Sequence, residues 1–178
     1  MIPAMRKIML ITTGGTIEKT YDERSGELSN RRSVVRRMLR RLRLEDTEVN
    51  VLELMSKDSL QLSPEDREQI ASAVTTFAAP DAPGDVSAVV ILHGTDTLEQ
   101  TGEILLRRLP RSKIPIVLSG ALRPFEMKHS DALQNLNEAI FATGLLSPGV
   151  YCVAHGRALA FPGVYKDRDR RTFVKDQL

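Results

Sequence analysis

The chain has 178 residues, 42% of them apolar and 27% charged, with a formal net charge of +2. That length suits one domain able to bury about 70% of its unfolded surface. The composition excludes disorder, collagen-like repeats and a disulfide scaffold. Apolar runs such as Val89 to Leu92 are far shorter than the ~20 residues a membrane-spanning helix needs. Only Ile8 to Ile11 separate Lys7 from the polar Thr12-Thr13-Gly14-Gly15, too short for a secretory signal, so a cytoplasmic location is expected. The single cysteine, Cys152 in Val150-Tyr151-Cys152-Val153, reads as a buried, inert thiol, and no Cys/His cluster has zinc-ligand spacing.

In chain order, the first strand is expected over Lys7–Thr12. It ends in Thr13-Gly14-Gly15-Thr16-Ile17-Glu18, whose paired glycines permit close backbone approach and leave N–H groups free to face an anion. It is neither a P-loop nor a dinucleotide fingerprint. Ser33–Leu42 follows as a helix with Val34, Val35, Met38, Leu39 and Leu42 on one face. The run from Arg31 to Arg43 holds seven arginines. They stripe the opposite face and read as a solvated surface, partly neutralised by Glu45, Asp46 and Glu48. With so few aromatics for base stacking, no nucleic-acid partner is expected.

Glu48–Leu54 is the second strand. Helix Ser63–Phe77 opens on Ser63-Pro64-Glu65-Asp66, an N-cap with proline at the first position and acids near the positive end of the dipole. Ala78–Asp85 is a helix-to-strand connection. The third strand, Ser87–His93, ends in His93-Gly94-Thr95-Asp96-Thr97-Leu98-Glu99, where Thr95 or Asp96 would be a competent cap for helix Thr97–Leu109. His93, at a strand end, fits a satisfied structural histidine. Strand Ile114–Ser119, helix Asp131–Thr143 and strand Val150–Ala154 come next, then a further strand Ala158–Val164 turned at Gly156-Arg157. The stretch Lys166 to Arg171 is charge-rich and by itself reads as a mobile surface segment. The near-continuous apolar strands alternating with helices imply an α/β fold: a doubly wound, mostly parallel sheet with helices on both faces. Strand order is not readable.

Ligands bind at the carboxyl ends of such strands. Two of these loops place a threonine directly after glycine, beside the Asp96 carboxylate. Two hydroxyls, a carboxylate and spare N–H groups could form a nucleophile site with oxyanion stabilisation.

Thr13-Gly14-Gly15-Thr16-Ile17 together with His93-Gly94-Thr95-Asp96-Thr97-Leu98-Glu99 resembles the two signature segments of the bacterial-type L-asparaginase/glutaminase family. Asp58-Ser59 followed by Ser63-Pro64-Glu65-Asp66 is similar to that family's substrate-binding loop. Ser119 to Pro124 resembles its fourth-strand segment, Asp131 to Asn137 the following helix, and Lys166 falls where the family has its catalytic lysine. The resemblance implies a three-layer, flavodoxin-like domain and hydrolysis of the L-asparagine side-chain amide without a cofactor or metal.

It implies Thr16 as nucleophile, with Tyr21 as its loop partner, and Thr95, Asp96 and Lys166 as the proton-transfer group. Gly15, Asp58, Ser59, Thr95, Asp96 and Ala121 would bind substrate, with Asp96 on the α-ammonium and Ser59 on the α-carboxylate. Thr16 to Leu28 would be a lid. Leu60 and Gln61 stand where the family has polar or acidic residues, which implies weaker substrate binding. The chain resembles only the family's N-terminal domain, so 1–178 is expected to be one such domain without the C-terminal one, and a homo-oligomer is expected to cover the surface left bare. Alternatives are a glutaminase or other small-amide hydrolase, or a non-catalytic domain binding an amino acid or nucleic acid.

Overall fold

The computed structural model describes residues 5–176. Its centre is a six-stranded sheet. In chain order the strands are β1 (Arg6–Gly14), β4 (Thr47–Lys57), β5 (Ala88–Leu92), β6 (Pro115–Ser119), β7 (Gly149–Ala154) and β8 (Arg157–Ala160), and in space they run β4-β1-β5-β6-β7-β8. The first five are mutually parallel, and β8 closes the edge antiparallel to β7. Helices α1 (Val35–Leu39), α2 (Pro64–Ala78), α3 (Leu98–Arg108) and α4 (Ala132–Ala142) connect them. Two small hairpins stand apart: β2 (Thr20–Asp22) with β3 (Glu27–Ser29), and β9 (Val164–Asp167) with β10 (Thr172–Lys175).

Alternation along the strands builds two cores. Val89, Ile91, Ile116 and Leu118 pack with Ile70, Val74 and Leu105 of α2 and α3. Val90, Leu92 and Val117 face the other way, onto Val35, Met38, Leu136 and Ile140 of α1 and α4. This is the three-layer, doubly wound arrangement. β5 and β6 are buried along their whole length, as expected of parallel strands covered on both faces. The chain leaves β1 towards one neighbour, β4, and then crosses to the other, β5. That reversal opens a crevice outside the carboxyl ends of β1 and β5.

Two elements differ from expectation. α1 holds only Val35–Leu39 and ends in tighter turns, Arg41 N–H to Met38 O and Leu42 N–H to Leu39 O. Like charges four residues apart (Arg32, Arg36, Arg40; Arg37, Arg41) disfavour a longer helix. The expected strand Ala158–Val164 is two strands, β8 and β9, broken at Phe161-Pro162-Gly163. Proline cannot donate to a ladder, and Gly163 has φ 84°. No helix among the described residues is long and apolar enough to cross a membrane.

Candidate active site

The crevice is assembled from loops that only glycine allows to meet. After β1 the chain turns through Gly14 and Gly15 (φ 97° and 78°) into a single 3-10 turn, Thr16–Glu18. A Cβ on Gly15 would sit 2.5 Å from the Gly94 backbone, and one on Gly94 would sit 2.4 Å from Ser59 Oγ. The Thr16, Ser59 and Thr95 loops therefore touch through bare backbone.

The N–H groups of Gly14 and Gly15 are not free, contrary to expectation. Gly14 N–H donates to Glu18 Oε2 at 3.2 Å and Gly15 N–H to Lys57 O at 2.8 Å. Among the described residues, the N–H groups of the turn left without a partner are those of Thr16 and Ile17, its first two residues, which have no preceding helical carbonyl to meet. Glu18 is itself buried, which raises its carboxyl above the usual range, while Ser33 and Gly14 donate to it. The half-buried Thr16 hydroxyl makes no hydrogen bond among the described residues.

Beyond β5, His93 is fully buried. Its Nδ1 lies 2.8 Å from Gly94 O and its Nε2 2.8 Å from Thr101 Oγ1. A carbonyl only accepts, so Nδ1 carries the proton and Nε2 accepts from Thr101. Burial drives the pKa down to about 4 and keeps the ring neutral. His93 is structural. Thr95 and Asp96 do not cap α3; the cap position is Thr97, whose hydroxyl donates to Ser59 O at 2.9 Å. Thr95 and Asp96 are left for Lys166.

Lys166 arrives on β9, 70 residues further along the chain than Asp96. Its Nζ lies 2.8 Å from Thr95 Oγ1 and 3.0 Å from Asp96 Oδ1, and its side chain is 15% exposed. The stretch expected to be mobile is thus a strand end and a hairpin turn. Asp58 pairs with Lys19 at 2.7 Å, and that bond lowers its pKa. Ser59 is buried against Gly94.

Two expected site residues lie apart. Tyr21 is on β2, 59% exposed, with no hydrogen bond to Thr16; its backbone N–H donates to Glu126. The Ala121 side chain points into the α1/α4 core, so only its backbone could face a ligand. Leu60 stands out in solvent.

Sequence reasoning missed three contributors. Arg67, 6% exposed, donates to Leu62 O, Thr97 Oγ1 and Gln100 Oε1, fixing the start of α2 to the start of α3. Asp131 accepts from Leu122 and Arg123 N–H and meets His155 Nε2 at 2.8 Å, while His155 Nδ1 lies 3.0 Å from Thr172 on β10. This chain of contacts braces the hairpin that carries Lys166. Burial would raise the Asp131 pKa, but those bonds outweigh it and hold it low. The third is Arg168, 3.0 Å from Asp96 Oδ1. Arg168 follows Lys166 by two residues but lies on the turn after β9, so strand alternation does not reach it. No spacing signals the other two either.

Residues 7–172 match the family described as "Asparaginase, N-terminal". The chain is 30% identical over 145 residues to an L-asparaginase of Thermococcus kodakarensis, covering 82% of this chain and 43% of that protein. It is 29% identical over 158 residues to a glutamyl-tRNA(Gln) amidotransferase component of Methanococcus vannielii, covering 86% and 35%. The solved thermostable L-asparaginase from Thermococcus kodakarensis superposes with TM-score 0.79 at 26% identity, over 95% of this chain and 51% of that one. The chain thus spans less than half the length of the curated relatives it matches.

Proposed function

The chain belongs to the asparaginase N-terminal family, and from that premise we propose that it hydrolyses L-asparagine to L-aspartate and ammonia, with Thr16 as nucleophile. Thr16 Oγ1 attacks the amide carbon, and its proton passes through the Thr95 hydroxyl towards the leaving nitrogen. Ammonia departs, and water cleaves the resulting ester to regenerate Thr16. Lys166 donates to Thr95 Oγ1, so the Thr95 proton points elsewhere, towards the reacting groups. The orphan N–H groups of the Thr16 turn offer stabilisation for the oxyanion. Ser59 and the loop backbone receive the α-carboxylate, and Asp96 the α-ammonium.

The observation that carries this reading is Lys166 reaching both Thr95 and Asp96 from a separate hairpin. A surface lysine would not be held there. The test is ammonia release by the purified chain with asparagine and glutamine, with Thr16→Ala as control; no release from either amide would refute it. A cytoplasmic homo-oligomer belongs to the same reading. The amidotransferase likeness favours a second: the released ammonia passes to a partner protein. Ammonia release that rises on adding such a partner would favour that second reading.

A further inference from the structure

One oxygen of the Asp96 carboxylate already carries two cations. Lys166 Nζ and Arg168 both lie 3.0 Å from the same oxygen, Oδ1. Lys166 also holds Thr95, so it belongs to the proton-transfer group. Arg168 touches neither Thr95 nor any other acid among the described residues; its one ion pair is with Asp96. Its side chain is 71% exposed, on the turn after β9, so it is tethered only at its tip.

A substrate α-ammonium directed to Asp96 would be the third cation on one carboxylate. It must share the group with the guanidinium at a distance of a few Å or displace it. A substrate with no α-ammonium leaves the Arg168–Asp96 pair intact. We propose that Arg168 is a specificity-determining residue that competes with the substrate's α-ammonium for Asp96, and so biases the site towards ω-amides of short dicarboxylic acids that lack a free amino group. This rests on the asparaginase reading of Asp96. A like-charge contact at such range in a partly solvated site corresponds to roughly a fivefold change in affinity.

The test compares L-asparagine with succinamate, its analogue without the α-amino group, on the full chain, Arg168→Gln and Arg168→Lys. Arg168→Gln should lower KM for asparagine about fivefold with kcat unchanged, leave succinamate unimproved, and so shift the ratio of the two kcat/KM values. Arg168→Lys, which keeps the charge, should stay near the parent. A ratio that moves less than twofold in Arg168→Gln overturns the proposal. So does an equal loss of kcat on both substrates, which would mark Arg168 as a structural brace. If the parent releases ammonia from neither amide, the asparaginase reading fails separately. Calorimetric binding of L-aspartate and succinate to the parent and Arg168→Gln then decides the proposal by the same shift in ratio.

Discussion

At the residue scale, the proposed reaction rests on Thr16 and Lys166, and the buried His93 predicts a loss of stability in acid. Thr16→Ala and Lys166→Met should each reduce ammonia release by at least about 10³-fold, with an unchanged circular-dichroism spectrum. Retained activity in either variant would remove that residue from the mechanism. Gly94→Ala places a methyl 2.4 Å from Ser59 Oγ and 2.5 Å from its Cβ, so Ser59 must shift. It should cost about 1–3 kcal/mol in urea unfolding and raise KM by displacing Ser59. His93 is neutral in the fold down to about pH 4, whereas the unfolded chain protonates it near 6.5. Between those values the unfolded state binds more protons, so stability falls as pH falls. The loss from this ring is about 3 kcal/mol across that window. Unfolding free energies from pH 7 to 4 should show it, and His93→Gln should flatten that part of the slope.

At the element scale, the short hairpin β2/β3 is tied down by charge rather than by apolar packing. Arg31 pairs with Asp22, Arg37 with Glu126 at 2.7 Å, and Glu126 in turn accepts from Tyr21 N–H. Arg36 lies 3.7 Å from Glu53, and Arg41 stacks 5.0 Å over Phe125. The arginine run is a solvated surface as expected, but Arg31, Arg36 and Arg37 pair with Asp22, Glu53 and Glu126 rather than with the acids just beyond α1. Lys19 joins the hairpin's root to Asp58. Lys19→Met should free the segment after Thr16, raising KM more than it lowers kcat, and Lys19→Arg should restore it. Equal kinetics in Lys19→Met would show that the pair holds nothing the reaction uses. Partial exposure of both partners keeps the stability cost of that change to about 1 kcal/mol or less.

At the scale of the whole molecule, Phe141 and Leu145 are 64% and 73% exposed beside the edge strand β8, around a cavity of about 330 Å³. An apolar rim next to an unpaired strand edge suits self-association. A homo-oligomer by light scattering is the expected outcome, and a monomer mass at working concentration would contradict it.

The alternation of five parallel strands with four helices and the two glycine–threonine loops were legible in the residues, whereas the hairpins β2/β3 and β9/β10 were not. Apolar runs, capping signals and positive-φ glycines are local, and the capping box of α2 formed as its residues dictate, with Ser63 and Asp66 each accepting from the other's backbone. The family resemblance also pointed to Lys166, whose own neighbourhood reads only as charged surface. What spacing could not show was which groups meet. Strand order set the reversal at β1, and that alone put Thr16 beside the Thr95 loop. The fold consumed the Gly14 and Gly15 donors, turned Ala121 inward and left Tyr21 in solvent. It also brought Arg168 onto Asp96 and built the Asp131–His155–Thr172 brace from residues 24 and 17 positions apart. Such contacts depend on closing long loops against a finished sheet. Their geometry is a property of the packed layers, whereas the sequence by itself decides only what each segment can become.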